Sequence, residues 1–338
     1  MGRRGTNLAL LALLVTAFLT GWLAFQLFDS RARAVLALHA AAGIGILLLV
    51  PWKSVIARRG LRRRRPLGWA SLVLAALLVL SLLFGFLHSV GLPYLYFADL
   101  TAMEVHVGTA LAAIPFVVWH VLARPQAPRR TDLSRRGLLR AGTLALAAGL
   151  AYGASELGLR AGRLPGAARR QTGSYELGSH EPAATPATQW MFDQPPIVDP
   201  GRLSLVVATP DGSRSYRYEE LAGFRDRLTA TLDCTGGWFA EQDWEGVWLE
   251  RLLGSGIGRR ATSVNVVSAT GYGRRFSLPA LPRLLLATRA EGQELDPGHG
   301  APLRLVAAGE RGFWWVKWVT RIQADDLPAW WQSPFPLQ

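Results

Sequence analysis

The sequence predicts a bundle of five membrane-spanning helices followed by a water-soluble α+β domain. Three observations predict it. Residues 1–160 are rich in Ala, Leu, Val and Gly and are broken by Arg-rich clusters, whereas residues 161–338 have the mixed composition of a soluble domain. The arginines of the first half sit between long apolar runs. The 338 residues hold a single cysteine, Cys234, so no internal disulfide forms and the soluble part depends on its own core. The expected division is a helical domain over 1–160, a linker over 161–184 and a soluble domain over 185–338.

A span needs about 20 mostly apolar residues. Five stretches qualify, near 6–27, 34–52, 67–88, 102–122 and 138–158. "MGRRG" precedes the first, "WKSVIARRGLRRRRP" follows the second, and "ARPQAPRRTDLSRRG" separates the fourth from the fifth. The loops 28–33 and 89–101 carry few positive charges. Basic loops stay cytoplasmic, so the expected location is the cytoplasmic membrane, multi-pass, with the N-terminus inside and residues 161–338 outside. The net charge of +13 is then a membrane signature, and nucleic acid is excluded as a partner. The first run lacks the small-residue cleavage site of a signal peptide. "SRRGLLRAG" (Ser134–Gly142) before the fifth span resembles a twin-arginine export signal with Arg135 and Arg136 as the pair; the alternative is a basic cytoplasmic flank. That route carries folded proteins, as a domain with a cytoplasmically inserted cofactor requires.

Four of the six histidines, His39, His88, His106 and His120, lie in or beside the spans. Ionisable groups are costly there and are functional candidates by default. His39 and His106 fall at nearly equal depth in spans two and four, which run the same way. That suits bis-imidazole ligation of a b-type haem. His120 lies fourteen residues after His106 on the same face. The pattern resembles di-haem cytochrome b proteins, with one departure: the position fourteen after His39 is Lys53. His88 is a substitute ligand, a propionate partner or a quinone-site group. The competing reading is that the histidines cap or bridge helices.

In the soluble part, "GRLSLVVATPDGSRSYRYEELAGF" reads as strand, turn, strand and short helix, and "RLTATLDC" as a strand. "EGVWLERLLGSG" has helical spacing ending at Gly. "TSVNVVSATGYGRRFSLP", "PLRLVAAG" and "FWWVKWVTRIQ" read as further strands. Cys234 ends a strand, and Gly236 and Gly237 allow a tight turn that leaves the thiol accessible. On composition alone a buried core cysteine is the alternative.

"CTGGWFAEQDWEGVWLERLL" resembles the signature of the molybdopterin-binding domain of the sulfite oxidase family, and "GHGAPLRLVAAGERGFWWVKWVTRI" (Gly298–Ile322) is similar to that family's C-terminal block. The likeness covers roughly 185–323 and favours the short, methionine-sulfoxide-reductase-like members. It implies Cys234 as the protein thiolate on molybdenum, and a soft thiolate suits a metal already held by dithiolene sulfurs. It further implies that His299 and Arg304 bind the pterin and its phosphate, and that Trp315, Val316 and Lys317 clamp the same cofactor. Thr188 corresponds to an early cofactor contact. Ser268 and Tyr272 fall near the metal-side pocket, Tyr272 as a catalytic candidate; for these last three a plain loop is the alternative. After "CTGGW" there is no arginine of the kind a sulfite site needs, which lowers sulfite as a substrate.

The expectation is thus a membrane-anchored molybdenum oxidoreductase fused to a cytochrome b-like domain. It would exchange electrons between quinone, haem b and an extracytoplasmic molybdopterin site and perform oxygen-atom transfer such as S-oxide reduction. Membrane lipid, quinone, a small-molecule substrate and an electron-transfer partner are the expected partners. The rivals are an oxidase passing electrons from a substrate to quinone and a non-catalytic membrane sensor.

Overall fold

The computed structural model describes residues 2–61, 68–92, 100–126, 129–189, 193–257 and 260–334. The arginine run Arg62–Arg65, which supports the orientation above, lies outside the described residues, as do Trp190 and Met191 of "PATQWMFD". The chain divides into two compact units, Met1–Tyr175 and Glu176–Gln338.

The first unit holds α1 (Arg3–Gln26), α2 (Arg31–Leu61), α3 (Gly68–Val90), α4 (Ala102–Ala123) and α5 (Arg135–Ala161). All five are long and apolar enough to cross a membrane, at 1.5 Å of rise per residue. Their outer faces carry exposed leucines, among them Leu122 at 73% and Leu157 at 69%, which suits a lipid solvent rather than water. α1 packs on α2, α3 on α4, and α5 on α2. Thr101 caps α4 in a capping box with Glu104. Ser134 caps α5, accepting from the Gly137 N–H at 3.3 Å, so Arg135 and Arg136 stand exposed on its first turn.

The second unit is α+β. After the short β1 (Tyr175–Glu176) come β2 (Ser204–Thr209), β3 (Gly212–Arg217), α6 (Tyr218–Ala222), β4 (Asp226–Asp233), β5 (Trp238–Trp248), α7 (Leu249–Leu253), β6 (Ser263–Ser268), β7 (Gly273–Ser277), β8 (Leu284–Ala290), β9 (Gln293–Glu294), β10 (Arg304–Ala307) and β11 (Val319–Asp325). One sheet runs β3-β2-β11-β6-β7, with β11 parallel to β2 and the other pairs antiparallel. In the other, β5 lies between β4 and β8, and β8 continues to β10 and β9. Leu205, Val264, Val266, Leu285, Leu286, Leu305 and Ile322 are buried in the shared core.

Three elements depart from the sequence reading. Glu245–Trp248 is the end of β5, and the expected helix shrinks to the five residues of α7. Pairing of β5 with β4 on one side and β8 on the other satisfies more backbone than a local helix. The expected strand at "FWWVKWV" begins only at Val319; Gly312–Trp314 is a 3-10 turn. β8, buried along nearly its whole length and central in its sheet, was not anticipated, because continuous burial erases the alternation that reveals a strand.

The register shifts between Glu245 and Gly246 against β8. A Cβ on Gly246 would stand 2.0 Å from the Leu286 carbonyl oxygen. Gly246→Ala is therefore expected to destabilise this unit by about 1–3 kcal/mol or more. An unchanged denaturation midpoint would rule out this register.

Candidate active site

β4 delivers Cys234 to the head of a sharp turn into β5. The Cys234 N–H donates to the Trp238 carbonyl at 2.8 Å and the Gly237 N–H donates back to the Cys234 carbonyl at 3.2 Å. Gly237 sits at φ 92°, which favours glycine. The Gly236 N–H points at Sγ, 3.3 Å away. The thiol is partly exposed and opens into a cavity of about 630 Å³, counting the solvent at its mouth. Burial pushes the thiol pKa up; the Gly236 N–H, Arg311, Lys317 and Thr188 oppose that rise.

Thr188, Tyr272, His299, Arg304, Trp315 and Lys317 line the same cavity. His299 is held between two acceptors, with Nδ1 on the Asp296 carboxylate and Nε2 3.0 Å from the Thr185 carbonyl. Arg304 is 3% exposed. Its Nη1 donates to the His299 carbonyl at 2.8 Å, it lies near the rings of Trp244 and Trp315, and its Nε is buried with no hydrogen-bond partner among the described residues. Burial lowers its pKa to about 10, against the opposing pull of Cys234 and Asp296. Lys317 Nζ donates to the carbonyls of Thr188 (2.9 Å) and Gly298 (2.5 Å) and to Gln189 Oε1 (2.9 Å). Burial, aided by Arg304, pushes its pKa down to about 7. Thr188 Oγ1 accepts from Trp238 Nε1 at 3.1 Å, which ties the loop before β2 to the Cys234 turn.

Three anticipated residues stand differently. The Tyr272 hydroxyl donates to the Phe313 carbonyl, and burial raises its pKa. Ser268 is buried with its hydroxyl on Thr270. Val316 is fully buried, and its carbonyl accepts from the Leu305 N–H at 2.7 Å. Neither Ser268 nor Val316 is among the lining residues. The sequence reading missed Gln189, Asp193 and Asp296, loop polar residues with no spacing signal. It also missed Asp233 and Arg311, which meet beneath Cys234 from sequence-distant segments.

The cavity fits an anionic, metal-bearing group. Two buried cations face it with carbonyl and amide partners, one N–H has no partner among the described residues, and a thiol stands at the same opening. A phosphate tail would take the cations and the thiolate would take a soft metal.

Comparison with known proteins agrees with that chemistry. Residues 193–331 match the family model of the oxidoreductase molybdopterin binding domain. That segment thus has the family relationship the two motifs imply, a molybdopterin-binding domain of the oxidoreductase kind. A nitrate reductase [NADPH] of Mycosarcoma maydis is 41% identical over 51 residues, 15% of this chain and 5% of that protein. The sulfane dehydrogenase SoxCD from Paracoccus pantotrophus is similar at 25% identity and a TM-score of 0.38, over 39% of this chain and 40% of that one. The chain thus spans well under half the length of either.

The buried lysine has a measurable consequence. With its folded pKa near 7 against about 10.4 for a free lysine, the unfolded chain binds more protons between those values. Stability of the cofactor-free protein should therefore rise as pH climbs from about 7 to about 10 and carry the full penalty below 7. A bound phosphate restores the charged form, so the slope should flatten in the loaded protein. Thermal midpoints against pH for both forms check this; a flat cofactor-free profile would contradict it.

Proposed function

We propose that this protein is a membrane-anchored molybdenum oxidoreductase that exchanges electrons between quinone, a b-type haem and an extracytoplasmic molybdopterin site, and that reduces S-oxides or related oxygen-atom donors. The observation that carries the molybdenum reading is that the chain's one thiol opens into the cavity of buried Arg304 and Lys317. When bound, the cofactor supplies two-electron oxygen-atom transfer. Cys234 holds the metal, and the Gly236 N–H steadies its thiolate. Arg304 and Lys317 neutralise the phosphate tail and His299, braced by Asp296, orients the pterin. Tyr272, Phe313 and Trp315 keep the wall apolar.

The lining favours an uncharged oxygen donor over an oxyanion. Among the described residues its one arginine is Arg304, turned toward the His299 carbonyl, and it includes the Asp193 carboxylate. A carboxylate there repels sulfite, and the one lining guanidinium among the described residues is committed to the phosphate tail.

Support for the haem comes from the first unit. The His39 and His106 rings lie 5.8 Å apart between centroids and nearly perpendicular. His39 Nδ1 is 2.9 Å from the Ala17 carbonyl and His106 Nδ1 is 2.7 Å from the Ser81 carbonyl. A carbonyl only accepts, so both Nδ1 atoms carry the proton and both Nε2 lone pairs are available to iron. Gly21 and Gly85 pack against these two rings, where a Cβ would come within 3.2 Å of His39 and 2.8 Å of His106. His88 instead donates Nε2–H to the Gly173 carbonyl at 2.9 Å, and His120 meets Ser71 and Arg124.

A dye-linked screen of S-oxides, N-oxides and sulfite tests the activity. Turnover of an S-oxide without turnover of sulfite is expected; sulfite oxidation with inert S-oxides would overturn it. The orientation rests on the charge pattern and on export through Arg135 and Arg136. Changing both to lysine keeps the charge, and the second unit should then stay protease-protected inside the cell. Normal export of that variant would leave the pair as a basic flank.

A further inference from the structure

Directly beneath the Cys234 turn lies an ion pair that no cofactor contact explains. Asp233 is fully buried and Arg311 is 4% exposed. Arg311 Nη1 donates to Asp233 Oδ1 at 2.7 Å and Nη2 donates to the Cys234 carbonyl at 3.4 Å. The backbones of Asp233 and Arg311 form a parallel bridge, and Gly312 lies so close that a Cβ there would stand 3.1 Å from the Cys234 Cα. Arg311 is not among the residues lining the cavity. Taking two charges out of water is costly, and apolar residues of the same volume often serve stability as well or better. A fork-shaped guanidinium that reaches both the side chain before the cysteine and the cysteine's own carbonyl has a geometric use that apolar packing lacks. The Cys234 carbonyl is gripped from two sides, by the Gly237 N–H at 3.2 Å and by Arg311, so the peptide plane that aims Cα–Cβ–Sγ cannot rotate freely.

We propose that the Asp233–Arg311 pair is a positioning device that aims the Cys234 thiolate at the metal. Arg311 is a positioning residue, acting through the Cys234 peptide and touching neither metal nor substrate. The proposal rests on the reading of Cys234 as the molybdenum ligand.

Full-length holoenzyme carrying Arg311→Lys tests it. Lysine keeps the charge for Asp233 but cannot fork to the carbonyl. The readouts are molybdenum per chain, thermal midpoint, the Mo(V) electron paramagnetic resonance spectrum and dye-linked kinetics. We expect near-native molybdenum content and midpoint, a shifted Mo(V) spectrum, and kcat lowered at least about tenfold with KM within about twofold, the range that outer-shell partners of a metal site command. A native spectrum with native kcat overturns the proposal. Should Arg311→Lys lose molybdenum, Asp233→Glu, which keeps both charges and displaces the carboxylate by one methylene, is read in the same way. Loss of molybdenum in both variants at an unchanged midpoint supports positioning; loss of the fold in both makes the pair structural and overturns it. Cys234→Ser separates the two readings. If it leaves the Mo(V) spectrum native, the ligand assignment itself has failed; if it changes the spectrum and Arg311→Lys does not, only the positioning role fails.

Discussion

Cys234→Ser is expected to lower turnover more than about 100-fold while leaving the fold intact. The magnitude follows from comparison: outer-shell partners of metal sites cost about 10–100-fold when removed, and a direct ligand should cost more. A hydroxyl is a poor ligand for a soft metal site and stays protonated where a thiol ionises. The fold should survive because one sulfur-to-oxygen change at a partly exposed turn removes little packing. The backbone bonds of the turn, Cys234 N–H to Trp238 and Gly237 N–H to Cys234, do not involve the side chain. Turnover, molybdenum content and thermal midpoint measured on one preparation check all three parts. Native turnover would sink the molybdenum ligand assignment.

His39→Ala or His106→Ala is expected to abolish the visible haem spectrum, and His120→Ala to leave most of it. The two rings stand 5.8 Å apart, near enough for one iron to bond both. His120 is fourteen residues beyond His106, about 20 Å along a helix, so it cannot reach the same iron. Its depth partner is Lys53, whose Nζ donates to Asn7 Oδ1 at 3.0 Å and, as an ammonium, has no lone pair to offer. One haem per chain is therefore expected. Pyridine haemochrome analysis gives the stoichiometry: two haems would require a further ligand set, and none would return the histidines to helix bridging.

Much of this protein was legible from residue order. The five apolar runs matched helices α1–α5, because a span-length run of leucine and alanine has few alternatives to a helix in hydrocarbon. The strand, turn, strand and helix of Ser204–Ala222 were readable from alternation and an Asp-Gly turn. Glu245–Trp248 was not, because helical spacing there is overruled by two flanking strands that close only through tertiary contact. β8 was silent for the opposite reason: buried on both faces, it shows no alternation to read.

The sequence by itself determined the chemistry on offer: one thiol, two lysines and histidines at matched depths. Only the tertiary structure decided which of these share a site. Arg304 and Lys317 share one cavity with Cys234 because the fold buried them with carbonyl and amide partners beside its turn. Ser268 and Val316, close in sequence to lining residues, were turned behind the wall. Arg311 was folded from 77 residues away onto the Cys234 carbonyl. Residue type sets what a group can do, but desolvation and the meeting of distant segments set what it is held against, and those depend on packing that no local pattern encodes.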